Sequence, residues 1–443
     1  MALSGLDIYK LLPKTNCKDC GFVTCLAFAM QLAKKAVSID KCPYLSDEAK
    51  KVLAESSLPP IKLITVGEGK DSLQVGNETV LFRHEEKFHH PCGLGVIIDS
   101  TLGEPEIDRK LKQISKLNFE RVGQALSVNL IAVKQGKDKG KFIETVKKVN
   151  TQSSLGIVLM GDDLSATEAA LKIAAKKKPL LYGIREADYA KAAALVKECP
   201  ASIVVSHPEL QGLSESVLEL NKLGATDLVL DTAKKGCLEK LHDFTQIRRQ
   251  ALKKGNRSLG YPVIAVIDDF DPYEEAIEAA TCICKYASII LVSCPDSWQA
   301  FSLLTLRQNI YTDPQKPLQI EPNLYPVGQV NKDSPVLITT NFSLSYYTVL
   351  GEVEASKIPA YIVSVDTEGM SVLTAWAAEK FTPEKINDSI EKFGVKDAVS
   401  HKSVVIPGYV AVISGDLEEK SGRKVIVGPK EAAGIPSFLK NLT

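Results

Sequence analysis

From residue 93 onward the chain alternates short, unbroken apolar runs with longer amphipathic ones. Eight apolar runs stand out: LGVIID from Leu94, SVNLIAV from Ser127, LGIVLM from Leu155, PLLYGI from Pro179, SIVVS from Ser202, DLVLD from Asp227, PVIAVID from Pro262 and SIILVS from Ser288. They recur every 20 to 36 residues or so, and each gap holds an Ala/Leu/Lys/Glu-rich stretch of helical period, such as DDLSATEAALKIAAKK from Asp162. Strands without polar alternation are buried on both faces, which points to a parallel sheet covered by its own crossover helices. Eight such units over roughly 215 residues predict a (β/α)8 barrel at 93–310. An open doubly wound sheet satisfies the same periodicity, because periodicity does not reveal closure.

Flanking segments read differently. Residues 1–57 form a cysteine-bearing N-terminal segment, ended by AESSLPPI (Ala54–Ile61), where Ser and two prolines interrupt the helical pattern. Residues 58–92 alternate apolar and polar positions with turn signals at Gly67, Gly69 and Gly76–Glu78, predicting linker and hairpins. The proline-rich stretch 311–334 reads as a second linker. Beyond it, 335–443 repeats the α/β grammar on a smaller scale: VLITT, PAYIVSVD, SVVIPG, YVAVIS and KVIVGP alternate with helical runs from Ser343 and Met370. The expected fold is α/β multidomain: an N-terminal iron-sulfur domain, a TIM barrel and a Rossmann-like C-terminal domain.

Composition narrows the function classes. The 443 residues are 45% hydrophobic and 24% charged, enough for more than one core. Lys plus Arg equals Asp plus Glu at 54 each, which removes the bulk electrostatic reason for binding nucleic acid or an acidic membrane. No basic stretch leads into an apolar core at the N-terminus, and no run reaches about 18 apolar residues. A cytoplasmic protein is expected, where clustered thiols hold a metal rather than a disulfide.

Four of the ten cysteines are clustered: Cys17, Cys20, Cys25 and Cys42, spaced C-x2-C-x4-C-x16-C. A tight trio plus a distant fourth thiolate suits the convergence that a 4Fe-4S cluster requires. Structural zinc accepts four thiolates too, but its usual pattern is two short-spaced pairs. Cys25 opens the run CLAFAMQLAKKA, whose Leu26, Phe28, Met30 and Leu32 are expected to shield the cluster. With all four thiolates committed, the segment reads as an electron relay. Cys92, Cys199, Cys237, Cys282, Cys284 and Cys294 read as scattered buried thiols.

Elsewhere the chemistry is diffuse. The barrel's strand ends carry Asp99, Lys134, Asp162, Asp163, Arg185, His207, Asp231, Asp268 and Asp269, which form no recognisable catalytic motif. His84, His89 and His90 sit in a charged, solvent-facing run. Neither a G-x-x-x-x-G-K-S/T loop nor a strand-linked G-x-G-x-x-G occurs. In the C-terminal part, four turns combine small and hydroxylated residues where a large planar cofactor could approach the backbone. They are Thr339–Tyr347, Asp366–Trp376, Ile406–Gly415 and Val427–Phe438. None of the six histidines stands in the D-x-H-x-x-G context through which many cobalamin proteins ligate cobalt.

The segment NCKDCGFVTCLAFAMQLA…DKCPY, the barrel-like centre and the turn TEGMSVLTAW together resemble the large (gamma) subunit family of the corrinoid iron-sulfur protein, or acetyl-CoA decarbonylase/synthase gamma subunit. The resemblance implies a cytoplasmic methyl carrier of the anaerobic acetyl-CoA pathway, part of a methyltransferase system and without catalytic residues of its own. A corrinoid as Co(I) would accept a methyl group from methyltetrahydrofolate through a methyltransferase and deliver it to acetyl-CoA synthase. The implied partners are a small barrel subunit in a heterodimer, these two enzymes and a reducing activator. By the same resemblance Cys17, Cys20, Cys25 and Cys42 hold the 4Fe-4S cluster, and a base-off cobalamin without a protein His ligand rests against Thr340, Tyr346, Met370, Ser371, Val372, Leu373, Thr374 and Ala433. The cluster would then return accidentally oxidised Co(II) to Co(I). Two other readings stand beside it: an iron-sulfur electron-transfer subunit without corrinoid, and a pterin-dependent barrel methyltransferase.

Overall fold

The computed structural model describes residues 5–33, 37–46, 48–50, 53, 59–122, 124–234, 236–268, 271–316 and 318–442. Most of the linker expected at 54–61, and Asp269 at the barrel mouth, lie outside them. Contacts divide the chain into two compact units, 1–118 with 127–311, and 119–126 with 312–443.

In the first unit an antiparallel hairpin, β1 (Ile64–Val66) and β2 (Leu73–Val75), precedes the barrel. Barrel strand β3 (Gly93–Asp99) is followed by an excursion, β4 (Asn118–Arg121) and β5 (Gln124–Ser127). The barrel resumes as β6 (Leu130–Lys134), β7 (Gly156–Met160), β8 (Leu180–Tyr182), β9 (Ser202–Ser206), β10 (Leu228–Asp231), β11 (Ile264–Ile267) and β12 (Ile289–Val292). All eight apolar runs are therefore strands. They pair in parallel in the order β10-β9-β8-β7-β6-β3-β12-β11. A parallel bridge between Leu230 and Val263, with the Leu230 N–H donating to the Pro262 carbonyl at 2.8 Å, joins the two ends. The sheet thus closes into a barrel.

Ile64, Val66, Leu73 and Val75 of the hairpin pack with Leu130, Val158, Leu180 and Ile289 from inside the barrel. The hairpin plugs the end where the strands begin, leaving the opposite end to carry polar groups. Three of the connecting helices start on side-chain caps: Asp138, Asp163 and Asp271 each accept from backbone N–H groups at the second or third position of the helix that follows.

Two buried carboxylates stitch the outer helices to the barrel. Glu275 is fully buried and accepts from the Ser293 and Cys294 N–H groups, the Ser293 hydroxyl and the Gln299 amide. Glu278 meets Lys240 at 2.6 Å with both side chains buried. Removing one partner strands the other charge in a low-dielectric interior, so Glu278→Ala should destabilise this unit by about 3–5 kcal/mol. The double replacement Lys240→Met/Glu278→Leu should recover most of that loss in thermal unfolding; a double variant as unstable as the single would refute this account.

The second unit is an open five-stranded sheet. Its strands are β13 (Leu324–Val327), β14 (Val336–Thr340), β15 (Ala360–Val365), β16 (Ser403–Ile406) and β17 (Lys424–Val427), in the order β13-β15-β14-β16-β17. All are parallel except β13, which runs antiparallel along β15. Residues 311–334, expected to be a linker, therefore contribute an edge strand. Leu324 of that strand packs against the core holding Val336, Val363 and Phe381, and Tyr325 against the one holding Leu337, Ile362 and Leu439. The excursion residue Val122 is also buried in this unit's core, and its N–H donates to the Tyr347 hydroxyl at 3.0 Å. YVAVIS, read as a further α/β segment, is a 3-10 helix, Gly408–Ile413. Gly408 lies so close to the next strand's exit that a Cβ would stand 2.5 Å from the Gly428 carbonyl oxygen. The chain must turn away there instead of pairing.

Candidate functional site

β14 lies at the centre of the sheet, with β15 on one side and β16 and β17 on the other, so the direction of winding reverses between β14 and β16. Ligands of open α/β sheets settle outside the carboxyl ends of the strands at such a reversal. A cavity of about 340 Å³ lies there. Its wall draws on all four small-residue turns: Thr339 and Ser345, Ser371 and Leu373, Pro407 and Tyr409, Pro429 and Ala432.

Of the residues expected against a corrinoid, Ser371, Val372 and Leu373 line this cavity. The other five stand elsewhere. Thr340 is fully buried on the opposite face of β14 from Thr339, following strand alternation. Tyr346 is buried in the core, its ring 5.1 Å from that of Tyr325 and 5.5 Å from that of Tyr347, and burial pushes its phenol up. Met370 is half-buried against the core that holds Val336, Val363 and Phe381, and does not line the cavity. Thr374 is exposed, its hydroxyl 2.9 Å from that of Ser371, and Ala433 is exposed beside the lining residue Ala432.

Asn341, which the sequence reading passed over, organises one wall. It is buried at the exit of β14, and its Oδ1 accepts from the Thr367 N–H (2.9 Å), the Thr367 hydroxyl (3.0 Å) and the Gly369 N–H (3.0 Å). Its amide donates to Gln319 and Asp366 at 3.3 Å. This one side chain holds the turn in which Glu368 and Gly369 both take positive φ, 57° and 74°. The turn delivers Ser371–Leu373 to the cavity. The signal available in sequence was an Asn directly after a strand, a residue type that bonds nearby backbone in turns.

The unit's histidine, His401, lies at the opposite end of the sheet, before β16. Its Nε2 is 2.9 Å from the Ser334 carbonyl, and its Nδ1 lies near the Ser403 N–H and hydroxyl. It does not reach the cavity.

In the N-terminal segment, Cys17 is exposed, Cys20 half-buried, and Cys25 and Cys42 buried. Cys25 is the first residue of the helix Cys25–Ala33, and its N–H donates to Asn16 Oδ1 at 2.8 Å. Lys14, Asn16 and Lys18 hold positive φ of 60°, 50° and 70°, and Gly21 follows at 83°. The Tyr44 hydroxyl bonds Asp19, whose carboxylate raises the phenol's pKa, so the segment after Cys42 is tied to the loop of the first two cysteines. Buried Cys25 and Cys42 share one small core with Phe28, and Cys20 packs against it. Of the expected shielding residues Phe28 is buried, while Leu26 and Met30 are exposed. Among the described residues no three His, Cys, Asp or Glu side chains stand at single-ion spacing. The thiolate donor set and the helix start at Cys25 fit a cluster, whose ligand sulfurs lie further apart than those around one zinc ion.

The barrel-mouth residues are mostly committed to local structure. Asp99 accepts from the Thr101 N–H and hydroxyl, Asp163 caps its helix and pairs with Lys139, and Arg185 pairs with Asp188. His207 closes a turn with Glu209. Lys134 binds Asp268 at 2.6 Å, and Asp231 accepts from Tyr182 (2.7 Å), Ser206 (3.0 Å) and the Ala233 N–H (3.0 Å). Partial burial, reinforced by the neighbouring Asp231 carboxylate, pushes the Tyr182 phenol far up, so it stays protonated.

Comparison with known proteins agrees with this division. The family described as CO dehydrogenase/acetyl-CoA synthase delta subunit matches residues 63–439, and an Fe-S cluster family matches 12–44. The corrinoid/iron-sulfur protein large subunit of Moorella thermoacetica is 43% identical over 99% of both chains. The chain belongs to the corrinoid/iron-sulfur protein large-subunit family. Archaeal relatives of this family are named acetyl-CoA decarbonylase/synthase complex subunit gamma. That of Methanothermobacter thermautotrophicus is 34% identical, covering 100% of this chain and 99% of its own, and that of Methanocaldococcus jannaschii is 33% identical, covering 99% and 96%. Among solved structures, dihydropteroate synthase of Thermus thermophilus aligns along its whole length with 56% of this chain, at a TM-score of 0.40 and 13% identity, too distant for its site to be carried across. No helix among the described residues of this large-subunit family member is long and apolar enough to cross a membrane.

Proposed function

We propose that the chain is the corrinoid-bearing methyl carrier of an acetyl-CoA-forming system. It would take a methyl group from methyltetrahydrofolate through a methyltransferase and hand it to acetyl-CoA synthase. The observation that carries this reading is the cavity at the reversal of an open sheet, walled by four small-residue turns, in a chain whose cysteine-bearing residues 12–44 match an Fe-S cluster family. A bound corrinoid supplies a cobalt centre able to accept and release a methyl group.

The chain's own residues do the positioning. Asn341 fixes the turn that presents Ser371–Leu373, and the Gly408 close approach sets the opposite wall. Exposed Leu344, Leu373 and Tyr409 form an apolar rim for the macrocycle. The remoteness of His401, in a unit with no other histidine, is consistent with a corrinoid that takes no His ligand from this unit; with its own base also displaced, omitting a strong axial donor would make the lower oxidation state easier to reach. Cys17, Cys20, Cys25 and Cys42 would hold a 4Fe-4S cluster for reductive repair. A small barrel subunit completes the working heterodimer, and a reducing activator serves it, in the cytoplasm.

Elemental analysis of anaerobically purified protein, co-produced with the small subunit, tests this directly. About four irons and about one cobalt per chain, with corrinoid absorption bands, are expected. Iron without cobalt, even after corrinoid is supplied, would leave an iron-sulfur electron-transfer subunit. Methyl transfer to free cobalamin by the chain alone would favour the pterin-dependent barrel methyltransferase, a reading that the committed barrel-mouth carboxylates do not favour.

A further inference from the structure

The helix Cys25–Ala33 starts on the third of the four clustered cysteines. Such a start ordinarily offers unpaired backbone N–H groups, and the positive end of the helix, to whatever stands before it. Here those donors turn to protein oxygens. The Ala27 N–H meets the Thr24 hydroxyl and the Phe28 N–H the Thr24 carbonyl, both at 3.1 Å, which is ordinary local capping. The Cys25 N–H goes elsewhere: its acceptor, at 2.8 Å, is Oδ1 of Asn16, nine residues back. Asn16 directly precedes Cys17 and holds a left-handed φ of 50°, a conformation that Asn tolerates better than most residues. Its side chain is exposed, so burial does not demand this bond. With Thr24 already capping the helix, the bond closes the loop from 16 to 25 and occupies the N–H of a cysteine expected to hold iron.

We propose that Asn16 withholds the Cys25 N–H from the cluster sulfurs and thereby lowers the cluster's reduction potential. The inference rests on the 4Fe-4S reading above. Reduction adds one electron, and no proton, to a core that four thiolates already make anionic. An N–H bonded to sulfur therefore stabilises the reduced form more than the oxidised one, and such bonds are among the factors that set cluster potentials. A donor engaged by Asn16 supplies none of that stabilisation. The reduced cluster is left a stronger electron donor, which suits it to return Co(II) to Co(I).

The test is a potentiometric titration of the anaerobically purified full chain, with dithionite as reductant and the EPR signal of the reduced cluster as readout, alongside iron analysis. Asn16→Gly removes the acceptor and takes positive φ without strain. It should keep about four irons per chain, as the unmodified protein does. At a fixed potential its ratio of reduced to oxidised cluster should rise about three- to tenfold, a shift of roughly 30–60 mV at 59 mV per tenfold for one electron. Asn16→Asp, which keeps an acceptor for the N–H, should hold the midpoint at or below that of the unmodified chain. An unchanged midpoint in Asn16→Gly, or an equal rise in both variants, would overturn the proposal while leaving the cluster assignment standing. Loss of most iron from Asn16→Gly would make the residue a strut of the cysteine loop and overturn it as well. Absence of iron from the unmodified chain would overturn both the proposal and the cluster reading.

Discussion

Cys20→Ala is expected to abolish reductive reactivation of oxidised protein while leaving methyl transfer from pre-reduced protein largely intact. Cys20 stands between exposed Cys17 and buried Cys25 and is itself half-buried, so its sulfur has access to both a cluster and the segment's core. Its loss leaves three of the four thiolates that the spacing brings forward. The core they share is small, built around Ile8, Leu12, Phe28 and Leu45, and its helix has only nine residues. In such a segment the free energy of metal binding is largely the free energy of folding. The variant should therefore lose most of its iron and become protease-sensitive in residues 5–46, with the unfolding of the barrel unit unchanged. Because the cavity proposed for the corrinoid lies in the other compact unit, corrinoid content should hold. Parallel loss of reactivation and of methyl transfer from pre-reduced protein would defeat the assignment of the cysteine segment as a repair relay.

The barrel was legible because its strands are fully buried and so written as continuous Val/Ile/Leu runs, each followed by a helical run. Closure was not, since it depends on one bridge between Leu230 and Val263 that no local pattern announces. Strand β13 was hidden by prolines: Pro326 sits on an edge strand, where a missing N–H is tolerated, yet in sequence it reads as a linker. The cavity was half legible. Its four turns could be named from small and hydroxylated residues, but strand alternation decides which neighbour faces the ligand. Thr340 and Thr339 are chemically identical, and only the second lines the cavity. Tyr346 shows the same limit on a helix, where its ring turns to Tyr325 while Ser345 faces the space. Asn341 was missed because its role lies in contacts with Gln319, Asp366, Thr367 and Gly369, 22 to 28 residues away.

Asn341 accordingly supports the second large effect. Asn341→Ala leaves the buried N–H groups of Thr367 and Gly369 without acceptors, at about 1–3 kcal/mol each, so the unit should lose roughly 2–6 kcal/mol. The positive-φ pair Glu368–Gly369 then keeps only the Glu368 N–H bond to Asp366 and the Thr367–Met370 contacts, so its turn loosens and Ser371–Leu373 drift from the cavity. Corrinoid affinity should fall with it. Asn341→Asp separates the two halves of the network. It keeps an acceptor for Thr367 and Gly369 but turns a carboxylate oxygen toward Asp366 and the Gln319 carbonyl oxygen, where the amide formerly donated. Two adjacent carboxylates resist joint ionisation, so protonation favours the folded state. The variant's deficit relative to the unmodified protein should be smallest near pH 4 and widen as the pH rises toward 7, whereas that of Asn341→Ala should stay flat over the same interval. Unfolding midpoints across that range decide it: parallel pH profiles for the two variants would mean that the amide contacts to Asp366 and Gln319 contribute nothing, and that the acceptor oxygen alone holds the turn.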